Sequence, residues 1–361
     1  MRIQSIEAIP LKIPFSDLYS GPRHKERGWT HFDTVLVRVT TKDGLVGWGE
    51  AFAYSCARSV TAAVNEMIAP LVVGRSIDDI PALNLQLQKD LHIWGRYGIT
   101  IFALSGLDIA LWDIAAKAAG KSLADYLGGR VREAVPAYAS LVRYGAPPPI
   151  AAVAAQAVAE GYQDVKLHEV TYDNIAAGRS AVGQTIRLTT DVNCHWSVPE
   201  AEAVLPRLKA LDLFWVEEPI FPPEDYDALK HLGEFGVSLS AGENACTAVE
   251  FKRLIEAVAY PQPSVTKVGG ISEFLKIAAL ARIAGKPVMP HSPYFGPGYW
   301  GTLQLAAHLE QIGLFEFLYV KPDAWLGQDI PLPKAGQIAL PGAPGIGFVP
   351  VDETLRRYRI D

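Results

Sequence analysis

Asp191, Glu217 and Glu243 follow one another at intervals of 26 residues, and each closes or follows a short run rich in β-branched and aromatic residues. Equivalent positions on three successive strands would then each offer a carboxylate. Carboxylates that meet in a low-dielectric mouth repel one another and take up protons unless a cation neutralises them. Oxygen ligands, with no cysteine and no histidine pair among them, favour Mg²⁺, with Mn²⁺ as a substitute. Glu218 points the other way on a period-2 strand and reads as a surface acid. Lys166 and His168 lie two apart, so a strand turns both side chains toward the same mouth. A lysine base would have to fall from about 10.4 to near neutrality, at roughly 4 to 5 kcal/mol, whereas a histidine near 6.5 needs almost no tuning. His168 is therefore the expected base, with a cationic Lys166 favouring its neutral form. Lys267 and His291 are expected on the far side of the same ring, where either could return a proton or protonate a leaving group. A salt bridge from Lys267 to the acids is the alternative to that role.

These groups need a scaffold that brings strand ends together. After Gly128-Gly129 short β-rich runs alternate with helical stretches: residues 135–140, 164–168, 186–193, 213–217, 237–241, 264–268, 287–290 and 314–318. Eight such runs, most followed by a helix, predict a parallel barrel whose chemistry sits at the C-terminal strand ends, with an open doubly wound sheet as the competitor. Residues 1 to about 55 read as three strands, with Asp43-Gly44 as a hairpin turn. Residues 59–127 carry apolar groups at helical spacing. The expected division is an α+β module over residues 1–127, a barrel over 128–325 and a tail over 326–361 that returns to the first module. A polar loop over 16–30 holds Arg23, His24, Lys25, Arg27 and Trp29; with Tyr54 it is expected either to select a substrate whose distal group is polar or acidic, as its cationic character suggests, or to be simply a solvated loop.

The chain has 361 residues, 49% hydrophobic and 20% charged, with a formal charge of −6. No basic run exists to engage phosphate backbones, so nucleic acid is an unexpected partner. The longest apolar stretch, residues 99–111, is broken by Ser105 and Asp108 and is expected to fall short of the roughly 20 residues of a membrane span. Cys56, Cys194 and Cys246 show no CxxC spacing, which argues against a disulfide framework and a thiolate metal site. The start lacks the apolar core of a secretory signal, so a cytoplasmic protein is expected.

Together these motifs resemble the enolase superfamily, on its mandelate racemase and muconate lactonizing enzyme side. The resemblance rests on Gly44-Leu45-Val46-Gly47-Trp48-Gly49-Glu50, on residues 103–113 with Gly120-Lys121-Ser122, on the spaced acids, on Lys267-Val268-Gly269-Gly270-Ile271 and on Pro290-His291-Ser292. It implies a (β/α)7β modified TIM barrel with an α+β capping domain formed by the N-terminal part and the tail. It also implies Mg²⁺ and abstraction of the proton α to a small carboxylate substrate, through an enediolate, by a lysine or histidine base. Dehydration of a hydroxy or sugar acid and racemisation or epimerisation are the outcomes it allows. On the resemblance Asp191, Glu217 and Glu243 are metal ligands, Lys166, His168, Lys267 and His291 the acid/base groups, and Arg23, His24, Tyr54, Asn193 and Glu316 substrate contacts. Glu316 matches a family acid that hydrogen-bonds the substrate carboxylate. A homo-oligomer is expected on the same ground and on the base rate. Two departures stand out. Lys166-Leu167-His168 replaces the frequent Lys-x-Lys, and Ser264 stands where an aspartate would orient His291. A Schiff-base aldolase using Lys166 or Lys267 and a barrel that binds metal without turnover are the rival readings.

Overall fold

β1 (Ile3–Ser16), β2 (His31–Thr41), which is rich in β-branched residues, and β3 (Val46–Phe52) pair antiparallel in that order. The computed structural model describes residues 1–21 and 29–360. Gly44 supplies the positive φ of the turn between β2 and β3 (φ 85°), which a residue with a Cβ rarely adopts. Behind the sheet lies the helix Ile99–Ala118. The glycines of the Gly47-Trp48-Gly49 run let the two touch: a Cβ on Gly49 would lie 1.8 Å from the Gly106 carbonyl oxygen, and one on Gly47 2.2 Å from that of Ala110. That helix is 20 residues long, so the expectation that the stretch would fall short of a span's length is corrected. It is instead a core helix: most of its residues are buried, against the capping sheet on one side and the helix Gly270–Ile283 on the other.

The second part is the barrel. Parallel strands β4 (Ala134–Ser140), β5 (Asp164–Leu167), β6 (Arg187–Asp191), β7 (Leu213–Glu217), β8 (Leu239–Ala241) and β9 (Tyr260–Pro261) pair in sequence, and β10 (Phe315–Leu318) closes back onto β4. Two expected strands differ. The sixth is Tyr260–Pro261, not 264–268. Pro261 and Pro263 lack the N–H a ladder needs, and the chain then turns, with the amides of Lys267 and Val268 both donating to the Ser264 carbonyl at 2.9 Å. The seventh shrinks to a parallel bridge between Val288 and Ile312, bracketed by Pro287 and Pro290, although Met289 and His291 still donate to the carbonyls of Pro261 and Pro263. With that segment counted, the architecture is the modified (β/α)7β barrel with an α+β cap.

The tail serves both parts. After β10, β11 (Lys321–Pro322) joins the open edge of β1, and near the end Ile360 donates to the Pro10 carbonyl at 3.0 Å. Between them β12 (Gln337–Ala339) runs antiparallel to β4 on the barrel. The tail's return thus begins before residue 326, and part of it stays with the barrel.

Candidate active site

Barrel strands present their C-terminal ends under the cap, and register sets what meets there. Asp191 and Glu217 are direct partners across β6 and β7, and Ser240, three residues before Glu243, is paired with Glu217. Lys166 on β5 is fully buried among these ends. Its Nζ lies 2.7 Å from Glu217 Oε1, 2.8 Å from Glu316 Oε1 and 3.7 Å from Asp191 Oδ2. Burial alone would lower its pKa, but the charges of Glu217 and Glu316 outweigh that and hold it well above the usual lysine value. A lysine held as ammonium is no Schiff-base nucleophile, which removes Lys166 from the aldolase reading.

One ammonium cannot compensate three carboxylates. Glu316 is held down at about 2: burial opposes this but Lys166 and His291 prevail. Glu217 goes the other way, pushed up by burial and by the charges of Asp191 and Glu316, which Lys166 offsets only in part. Its second oxygen accepts from Trp215 Nε1 at 2.9 Å and Gln262 Nε2 at 2.8 Å. Glu218 corrects the sequence reading. It is 2% exposed, not a surface acid. Its carboxylate accepts from the Gly242 amide at 2.8 Å, and burial together with the Glu243 charge raises its pKa to about 7. The strand alternation did separate its contacts from those of Glu217; what it could not reveal is that the next βα loop covers that side.

His168 projects from the end of β5 into a cavity of about 760 Å³, with its side chain 19% exposed. Its Nδ1 meets the Leu141 carbonyl, which can only accept, so that nitrogen carries the ring hydrogen. In the neutral ring Nε2 is then the basic nitrogen. It faces Asp191 Oδ2 at 3.3 Å, and that oxygen is buried without a hydrogen-bond partner. Asp191 Oδ1 accepts from the Asn193 amide at 2.7 Å. Arg143, which sequence reasoning missed, donates from Nε to the His168 carbonyl at 2.6 Å and from Nη2 to Asn193 Oδ1 at 2.9 Å. Glu169 was missed too. It is buried and accepts from the amides of Tyr144 and Gly145, fixing the loop that carries Arg143. No spacing signal marked either residue.

On the opposite part of the cavity wall, His291 Nε2 lies 2.7 Å from Glu243 Oε2. With Ser264 in place of an aspartate, His291 Nδ1 is buried without a hydrogen-bond partner, and the carboxylate that reaches the ring is Glu243 of the β8 loop, at Nε2. Ser264 turns its hydroxyl to Thr266 at 3.2 Å and Tyr294 at 3.5 Å. Glu243 is held well below the usual carboxylate range; burial opposes this, and His291 and Lys267 prevail. Lys267 makes no salt bridge among the described residues; its Nζ lies 4.5 Å from the centre of the Phe52 ring, a cation–π contact. The turn bearing it is pinned from the cap, where Asp108 accepts from the Ser272 amide at 2.9 Å and Asn84 donates to the Gly269 carbonyl at 2.8 Å. Gly270 (φ 84°) allows that approach, since a Cβ there would lie 2.4 Å from Asp108 Oδ1.

The expected substrate contacts divide. Arg23 and His24 lie outside the described residues. Tyr54, Asn193 and Glu316 line the cavity. Both Glu316 oxygens are already taken, by Ser140 and Lys166 on one side and the Ser292 amide on the other, so it braces the site's own lysine.

The site suits a hard divalent cation. Asp191 Oδ2 is buried without a hydrogen-bond partner, and buried carboxylates crowd about it closely enough to raise Glu217 and Glu218. Among the described residues, however, no three such side chains are already drawn around one point. Lys166 and His291 engage Glu217 and Glu243.

Two family profiles match the protein: the mandelate racemase / muconate lactonizing enzyme N-terminal domain over residues 27–128, and the enolase C-terminal domain-like unit over residues 150–354. An arabinonate dehydratase from Saccharolobus solfataricus is 30% identical over 342 residues, covering 91% of each chain. A D-galactarolactone cycloisomerase from Agrobacterium fabrum is 34% identical, over 76% of this chain and 74% of its own. Among solved structures, a racemase from Streptomyces coelicolor with bound magnesium superposes with a TM-score of 0.86 at 25% identity, over 99% of this chain and all of that one.

Proposed function

The chain belongs to the enolase superfamily, in its mandelate racemase and muconate lactonizing enzyme family, and from that premise we propose a Mg²⁺-dependent dehydratase of small hydroxy or sugar acids. The observation that carries the reading is His168. Its ring, which lines the cavity, is fixed through Nδ1 on the Leu141 carbonyl, and its basic nitrogen lies 3.3 Å from Asp191 at the edge of the carboxylate cluster. Asp191, Glu217 and Glu243 would hold the metal, with Glu218 buried next to them. Bound there, Mg²⁺ supplies Lewis-acid stabilisation of the negative charge that grows on the substrate carboxylate.

The remaining work belongs to side chains. His168 Nε2 takes the proton from the carbon α to the carboxylate, and the C–H electron pair becomes the double bond of the enediolate. Lys166, held as an ammonium by the carboxylates behind the cavity wall, favours that anion, and Lys267 lines the cavity itself. His291, on the cavity wall, gives a proton to the departing β-hydroxyl, so that water leaves as the electrons return. The enol that remains becomes a 2-oxo acid by proton transfer to carbon. Free thiols at Cys56, Cys194 and Cys246 suit a reducing cytoplasm, and we expect a symmetric homo-oligomer.

The test is exchange of the α-proton in deuterated water, with Mg²⁺, across a panel of sugar and hydroxy acids, with 2-oxo acid formation followed in parallel. Exchange with 2-oxo acid formation is expected, and His168→Ala should slow it by about 10² to 10⁴. Calorimetry should find magnesium binding that Asp191→Asn weakens by at least about tenfold. Inversion of the α-carbon without loss of water would replace dehydration by racemisation. Exchange untouched in His168→Ala would remove His168 as the base.

A further inference from the structure

The turn that carries Lys267 cannot hold itself. The helix Gly270–Ile283 begins three residues after Lys267, and its N-cap is Gly269 at φ 107°. Glycine suits that backbone but has no side chain to accept from the first amides of the helix. The acceptors come from the cap instead. Along the helix Ile99–Ala118, Phe102, Ser105, Asp108 and Trp112 recur at three- and four-residue spacing and so share one face. Ser105 Oγ accepts from the Gly269 amide and Asp108 Oδ1 from the Ser272 amide, each at 2.9 Å, and Trp112 Nε1 donates to Ser272 Oγ at 2.9 Å. From the neighbouring helix Ile80–Asp90, Asn84 Nδ2 donates to the Gly269 carbonyl and to Asp108 Oδ2, both at 2.8 Å. Ser105, Asp108 and Asn84 are all buried. The same face also reaches the lysine side chain: Nζ lies 5.9 Å from the centre of the Phe102 ring and 4.5 Å from that of Phe52.

An ion pair would fix Nζ as well, but it would neutralise the charge; ring faces orient a cation and leave its charge for the cavity. We infer that Ser105, Asp108 and Asn84 are positioning residues for Lys267: by holding the backbone of Gly269 and Ser272 they set where Nζ stands in the cavity, beside the charge that grows on the substrate. The cap thereby completes the barrel's chemistry without touching the substrate through these three side chains. The inference rests on the proposed function for what the Lys267 cation does, but not for where it is held.

Ser105→Ala removes one acceptor with little change of volume, and Asn84→Ala leaves the Gly269 carbonyl without its donor. Urea unfolding checks that each variant is folded. With Mg²⁺ and the acid of the panel that exchanges fastest, either substitution should lower kcat for α-proton exchange by about tenfold to 10² with KM within about twofold. In a Lys267→Ala background the same substitutions should change kcat by less than about twofold, because the group they position is gone. A second reading needs no turnover. Reductive methylation with isotope-labelled formaldehyde makes each lysine visible by NMR, and the Lys267 resonance is the one missing from Lys267→Arg. It should stand upfield through the ring currents of Phe52 and Phe102, and move toward the exposed lysines in Ser105→Ala. Equal losses of kcat in the two backgrounds, a kcat that both substitutions leave in place, or a Lys267 resonance that does not move overturns the inference. A resonance that moves in a protein that exchanges no acid would support the positioning and refute the proposed function. Exchange with an unmoved resonance would do the reverse.

Discussion

Glu50 sits where the cap grips the barrel, and its neutral isostere should remove one contribution to the pH dependence of stability. It is 1% exposed; one carboxylate oxygen accepts from Thr34 Oγ1 at 2.7 Å and the other from the Gly298 amide at 2.9 Å. Gly298 lies in the first turn of the helix Pro297–His308, directly after the loop that carries His291. Burial, only partly offset by Thr34 and the Gly298 and Gly296 amides, raises the Glu50 pKa from 4.5 to about 7. Between those values the folded chain holds a proton that the unfolded chain releases, so stability falls as pH rises. The whole span corresponds to about 3 kcal/mol, of which about 2.5 kcal/mol falls between pH 5 and pH 8. Glu50→Gln mimics the protonated acid and has nothing to ionise. Urea unfolding of both proteins at pH 5, 6.5 and 8 should show the variant gaining on the wild type by about 2.5 kcal/mol over that range. Asp108, also raised to about 7, adds its own dependence to both proteins, so the difference isolates Glu50. Parallel losses in the two would refute the reasoning.

Other consequences are as direct. Lys166→Met leaves Glu217, Glu316 and Asp191 without their shared cation, and should cost about 3 to 5 kcal/mol at pH 7. Part of that should return at pH 5 as a carboxylate takes up a proton, and urea unfolding at the two pH values checks both points. Gly49→Ala would place a Cβ 1.8 Å from the Gly106 carbonyl oxygen and drive β3 off its helix. A loss of about 1 to 3 kcal/mol is expected, and a wild-type unfolding midpoint would contradict it.

Much of this protein was legible along the chain. The 26-residue spacing of Asp191, Glu217 and Glu243 follows from one βα repeat, and repeat length is a property of sequence. The two-residue offset of Lys166 and His168 follows from strand pleating in the same way. The glycines of the Gly47-Trp48-Gly49 run marked a close approach, although only the fold identified Gly106 and Ala110 as what they approach. The sixth strand was placed at 264–268 because that run is rich in β-branched residues, although the chain there turns, and the seventh, correctly located, shrinks to a single bridge at Val288 because Pro287 and Pro290 cannot donate to a ladder.

What the sequence determined by itself is which side chains share a face and at what interval, because a strand or a βα unit has a fixed geometry of its own. What only the tertiary structure decided is which charge meets which. Lys166 became a buried counterion, His291 met Glu243 through Nε2, and Glu218 was drawn inside. Those outcomes depend on burial and on neighbours from distant strands. Both set the electrostatic energy of an ionisable group, and neither is a property of the residues beside it in the chain.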